Sequence, residues 1–97
     1  MTRLIGISDI HGEYEKLCSV LNKIDPKKED TIIFMGDYID RGSKSKEVVD
    51  KIISMQEICS CVYLIGSHEY ALLHAQSDEY YNYLFWNYGG VETAKSY

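Results

Sequence analysis

Three short apolar runs constrain this chain most, at residues 4–7, 31–35 and 62–65, because each runs straight into a polar cluster containing glycine. They are too short for helices and too continuously apolar for half-exposed strands, so they read as buried strands of a parallel sheet. Between the first two, Tyr14, Leu17, Cys18, Leu21 and Ile24 recur at the three- and four-residue steps of a helix. That helix stops at Asp25-Pro26, since proline cannot continue it. Between the second and third, Val48, Val49, Ile52 and Ile53 mark the inner stripe of another helix, with Ser43 or Ser45 as its N-cap. The resulting β-α-β-α-β order implies an α/β fold with parallel strands and right-handed crossovers.

Helical spacing resumes after the third run, through Ala71, Leu72, Leu73 and Ala75. Residues 80–88 then crowd together Tyr80, Tyr81, Tyr83, Phe85, Trp86 and Tyr88. This stretch reads as an amphipathic segment packing over the domain rather than a platform for stacking bases, because its polar residues offer no base or sugar code. Gly89-Gly90 breaks it, and residues 91–97 begin a further helix.

A chain of 97 residues is a single domain near the small end of what such a fold needs. Its net charge of -5, with no block of lysines or arginines, argues against electrostatic binding to nucleic acid or an anionic membrane. Any phosphate affinity would then have to come from a local site. No signal peptide and no transmembrane stretch are expected, and three cysteines fit a reducing cytoplasm better than a disulfide framework. Cys59 and Cys61 lack a metal-binding partner pair and read as small buried hydrophobes.

The polar clusters carry the chemistry. In a parallel α/β sheet, ligands bind beyond the carboxyl ends of the strands, where Asp9-Ile10-His11-Gly12, Gly36-Asp37-Tyr38-Ile39-Asp40-Arg41-Gly42 and Gly66-Ser67-His68-Glu69 all fall. Asp9 and His11 both reach one side of their loop, and a carboxylate with an imidazole suits a divalent first-row cation. Each cluster also has a plainer reading: Asp9 as a cap, Asp40-Arg41 as a surface ion pair, His68 as a hydrogen-bonded structural histidine. Their joint occurrence in this order favours one assembled site. Glu69 reads as a carboxylate favouring the dipole of the helix that follows it, and His74 as a helix-surface residue.

The motifs DxHG, GDxxDRG and G-Ser-HE at these positions resemble the calcineurin-like metallophosphoesterases, in the branch of serine/threonine phosphatases and dinucleoside tetraphosphatases. Residues 86–97 also resemble the segment after the third motif in bacterial members. The resemblance implies that Asp9, His11 and Asp37 hold a first metal ion, with Asp37 shared with a second. Arg41 would bind the substrate phosphate, His68 would protonate the leaving oxygen, and Asp40 would orient His68, while a metal-activated water attacks phosphorus. Ser67 stands where the family has a second-metal asparagine, and the two histidines completing that site belong to a later half. The resemblance thus implies one retained site, with Mn2+ preferred over Fe2+ or Zn2+, and a degraded second one.

The same resemblance implies that the chain corresponds to the first half of the family's αββα sandwich, with residues 1–97 expected to form one truncated domain. Its sheet would then expose an inner face, to be covered by a second copy, by a partner chain or by residues 80–88. Expected partners are a phosphorylated substrate, either phosphoprotein or nucleotide, and no nucleic acid or membrane. Two functional readings result: a metal-dependent phosphoester hydrolase, or a non-catalytic phosphate- or metal-binding module or remnant.

Overall fold

The computed structural model describes residues 2–97. Strand β1 (Leu4–Ile7) leads through the first polar loop to helix α1 (Tyr14–Ile24), then β2 (Thr31–Phe34), α2 (Ser45–Ser54), a single 3-10 turn at Met55–Glu57, and β3 (Ser60–Tyr63). Three helices complete the chain: α3 (Ser67–His74), α4 (Glu79–Asn87) and α5 (Gly90–Ser96). The strands lie in the order β1-β2-β3, all parallel, with Ile5 opposite Ile32 and Ile32 opposite Cys61. The expected α/β architecture is therefore present, and it sends all three strand ends toward the same edge.

Both crossover helices cover one face of the sheet. Leu17 and Leu21 of α1 and Val48 and Ile52 of α2 are buried against Ile32 and Phe34. Each such side chain contributes roughly 1.5–3 kcal/mol by leaving water. α1 ends as its sequence predicts: Asp25 takes the left-handed conformation at φ 47° and donates its N–H to the Leu21 carbonyl, and Pro26 comes next.

An ion pair between exposed Arg3 and buried Asp30 fastens the start of the sheet. Asp30, only 1% exposed, accepts hydrogen bonds from the Arg3 guanidinium at 2.8 Å and from the backbone N–H groups of Lys27 and Arg3. The same guanidinium donates to the Ile24 carbonyl, placing a positive charge on the C-terminus of α1 where the helix dipole favours it. The Arg3 hydrogen bond, reinforced by those backbone donors, holds the Asp30 carboxyl down at about 2.

Four expectations are corrected. β1 and β3 are not buried strands, because they are the two sheet edges and only one sheet face is covered; Leu4, Met35, Val62 and Leu64 remain 46–73% exposed on the other face. The third strand lies two residues earlier than its most apolar run, because the 3-10 turn after α2 sets the register and pairs Thr31 with Ser60. Neither Ser43 nor Ser45 caps α2: Lys44 occupies that position without a capping side-chain bond, and Ser45 turns inward and is fully buried. His74 is half-buried rather than a free surface residue, since its ring stacks on Tyr70 at 4.0 Å and lies near Tyr81.

The aromatic stretch forms α4, N-capped by Asp78, whose carboxylate accepts from the N–H groups of Tyr80 and Tyr81. α4 packs on α3 and α5, so it leaves the open sheet face uncovered. Cys59 is buried, and burial pushes its thiol up, in keeping with a packing role. Among the described residues no helix is long and apolar enough to cross a membrane.

Candidate metal centre

The first two polar loops are laced together along their backbones. Asp9, His11 and Gly12 donate their N–H groups to the carbonyls of Gly36, Asp37 and Tyr38, and Gly42 donates back to His11. Ile10, Tyr38 and Ile39 are buried between these bonds and anchor the loops from beneath. The chain bends sharply to do this. Asp9, His11, Asp37, Asp40 and Arg41 all adopt positive φ, between 46° and 76°. Aspartate and histidine tolerate this region better than most residues, yet each instance costs of order 1–3 kcal/mol. Such strain is retained here by the surrounding packing and falls on residues of the candidate site.

Close approach of the second and third loops requires glycine. A Cβ on Gly36, whose φ is 101°, would lie 2.6 Å from the backbone of Gly66. Glu69 then locks the two loops together. Its Oε1 accepts the N–H groups of Asp37 at 2.6 Å and Gly66 at 2.9 Å, and its Oε2 accepts those of Tyr38 at 2.8 Å and Ile39 at 3.2 Å. The bond to Gly66 is the helix-start role read from sequence, whereas the other three reach thirty or more residues back along the chain.

Asp9, His11 and Asp37 converge, each offering one ligand atom within 4.8 Å of the others. His11 Nδ1 lies 2.9 Å from the Ile39 carbonyl, which can only accept, so Nδ1 carries the proton and Nε2 is left with its lone pair. That nitrogen faces Asp9 Oδ1 at 3.7 Å. Two carboxylates and a neutral imidazole with its far nitrogen anchored fit a divalent first-row cation. Asp37 is oriented as well, accepting the His68 N–H on Oδ1 at 3.1 Å.

His68 stands beside this group, its ring edge-on to that of His11 with centroids 4.7 Å apart. Its Nδ1 shares a 2.9 Å hydrogen bond with Oδ2 of Asp40, a carboxylate only 1% exposed. As the carboxylate is an acceptor, Nδ1 carries the proton and Nε2 is free for another partner. Two residues not foreseen from the sequence complete the pair: Thr93 of α5 donates its hydroxyl to Asp40 Oδ1 at 2.6 Å, and Ser45 of α2 lies 3.1 Å from that hydroxyl.

Arg41 is exposed, and its backbone N–H donates to the Gly89 carbonyl at the turn between α4 and α5. Among the described residues its guanidinium makes no ion pair, so its donors are available. Ser67, the first residue of α3, is also exposed and lines a pocket of about 210 Å³ together with Asp40, His68, Ala71, Phe85 and Tyr88.

The sequence is similar to known proteins. The profile of the family described as Calcineurin-like phosphoesterase matches residues 2–95. The chain belongs to this family. Its relatives include an uncharacterised protein of Methanocaldococcus jannaschii, 33% identical over 88% of this chain and 32% of its own length. Serine/threonine-protein phosphatase 5 of Arabidopsis thaliana is 37% identical over 63% of the chain and 12% of its own length. The asymmetrical bis(5'-nucleosyl)-tetraphosphatase PrpE of Bacillus velezensis is 34% identical over 64% of the chain and 28% of its own length. The chain thus spans no more than about a third of the length of these relatives. Its matched region contains all three polar clusters.

Proposed function

We propose that this chain forms, as a single domain, the metal- and phosphate-binding half of a phosphoester hydrolase site. The observation that carries the reading is the meeting, at one sheet edge, of the Asp9–His11–Asp37 group with the buried Asp40–His68 pair. A divalent cation held by Asp9, His11 and Asp37 would supply Lewis acidity and lower the pKa of a water at neutral pH. Carboxylate and imidazole donors accept Mn2+, Fe2+ and Zn2+ alike, and Mn2+ is the ion proposed here from the family resemblance. Arg41 presents a planar fork of donors to the phosphate oxygens and offsets the negative charge that grows on them during transfer. His68, its Nδ1–H held by Asp40, would act in its doubly protonated form, giving the Nε2 proton to the leaving oxygen and returning to the neutral ring. Phosphoprotein and nucleotide substrates both present the monoanionic or dianionic phosphate this arrangement recognises.

The second cation position is weakened by Ser67, whose neutral hydroxyl is a shorter and poorer donor than an amide carbonyl. That favours a second reading, a module that binds phosphate and metal without efficient turnover. Hydrolysis of a generic aryl phosphate with Mn2+ separates the two. Turnover that vanishes in Asp37→Asn and rises in Ser67→Asn supports the hydrolase; no turnover in either the native chain or Ser67→Asn supports the module.

The uncovered sheet face bears on assembly. Leu4, Met35, Val62 and Leu64 form an apolar surface that a second copy of the chain would remove from water. A homo-oligomer is expected by size-exclusion chromatography with light scattering, and a clean monomer at micromolar concentration overturns it.

A further inference from the structure

We propose that Thr93, a residue of the final helix, is a positioning residue for His68 that acts through Asp40. This rests on the reading of His68 as the proton donor, and it concerns how the ring is held in place.

The Thr93 hydroxyl engages both ends of Asp40. It accepts the Asp40 backbone N–H at 2.8 Å and donates to Asp40 Oδ1 at 2.6 Å. An ionised carboxylate has no proton to give, so the Thr93 proton is committed to it, and Ser45, 3.1 Å away, donates in turn to Thr93. All three residues are buried, Asp40 at 1%, Thr93 at 4% and Ser45 at 0% exposure, so water does not substitute readily for any of them. Among the described residues Thr93 is the sole side-chain donor to Oδ1, while Oδ2 faces His68.

The closed loop from backbone N–H through hydroxyl to carboxylate fixes the side-chain torsion of Asp40. It does so at a residue whose backbone sits at φ 76°, in the left-handed region that few non-glycine residues adopt. Since Asp40 Oδ2 sets the position of His68 Nδ1, the torsion of one buried aspartate sets where His68 Nε2 points. The chain places the controlling hydroxyl fifty-three residues downstream. α5 is thereby a working part of the site as well as a packing element.

A purely structural role is the alternative, because Thr93 also borders an apolar groove beside Ile39 and Phe85. Substitution separates the two. Thr93→Val keeps the shape and the methyl contact and removes the hydroxyl; Thr93→Ser keeps the hydroxyl and removes the methyl. In 15N-labelled protein, the His68 Nδ1 proton shared with Asp40 is expected as a downfield line, assigned by its loss in His68→Gln. We expect the line to disappear or broaden in Thr93→Val and to persist in Thr93→Ser. In the Mn2+-dependent aryl phosphate assay, kcat should fall about ten-fold in the valine variant with KM unchanged, a fraction of what a general acid contributes, and stay near native in the serine variant.

A folded Thr93→Val protein with the native line overturns the proposal, and so does a serine variant that loses it. Should the valine variant fail to fold by circular dichroism, the serine variant decides alone. The proton line needs no turnover, so an inactive chain would count against the hydrolase reading and leave this inference standing on its own measurement.

Discussion

Glu69 offers the sharpest quantitative test, because its two structural roles differ several-fold in energy. If it merely favours the dipole at the start of α3, removing its charge costs about 0.3–1 kcal/mol. If it clamps the loops, four backbone N–H groups depend on it, two on each oxygen. In Glu69→Gln the amide keeps an oxygen for one pair and turns its NH2 toward the other, so two charge-assisted bonds are lost and donors face donors. Each such bond is worth about 1.5–3 kcal/mol, and partial access of water reduces the sum, giving an expected loss of about 3 kcal/mol. For a domain of this size that corresponds to a fall in Tm of roughly 12–24 °C. Urea and thermal unfolding followed by circular dichroism measure it, with Glu57→Gln, a carboxylate exposed in the 3-10 turn, as the control. A loss below about 1 kcal/mol would refute the clamp and return Glu69 to the dipole role. Loss of stability accompanied by weaker Mn2+ binding would connect the clamp to the metal group, since Asp37 is one of the residues it holds.

Two further outcomes rest on particular contacts. Gly36→Ala combines a positive φ with collision against Gly66, and is expected to cost about 3 kcal/mol; Gly6→Ala, whose nearest neighbour would be Met35 Sδ at an ordinary 3.5 Å, should be close to neutral in the same urea titration. The Asp30–Arg3 pair predicts the acid limb of stability. The folded carboxyl sits at about 2, below its ordinary 3.8, so its contribution is fully present above pH 3.8 and is lost as pH falls through about 2. Asp30→Asn should flatten that limb in acid unfolding, and an unchanged limb would remove Asp30 as its cause.

The elements of the fold were legible because they are written locally. Leu17, Leu21, Val48 and Ile52 repeat at helical steps, and the same residues are buried against the sheet. The candidate site was legible to the same extent: Asp9, His11 and Asp37 come after strands whose parallel direction brings their ends to one edge. Ser45 shows where local reading fails. Serine at a helix start reads as a cap, yet its hydroxyl turns inward, where Asp40 and Thr93 compete for it. Glu69 was read by its nearest helix alone, although three of its four donors come from another loop. Thr93 carried no local signal, since a lone threonine in a short helix fits no pattern.

By itself, then, the sequence determined the order of strands and helices and put polar clusters at the strand ends, because periodicity and strand-end position are properties of short segments; the choice of Asp9, His11 and Asp37 as a candidate metal group came from the resemblance of those clusters to the family's motifs. Only the tertiary structure decided what holds that group in place. The Glu69 clamp, the Gly36–Gly66 approach and the Thr93–Asp40–His68 chain join residues twenty-eight to fifty-three positions apart. Hydrogen bonds across such distances form only after the loops have packed, so no short stretch of sequence encodes them.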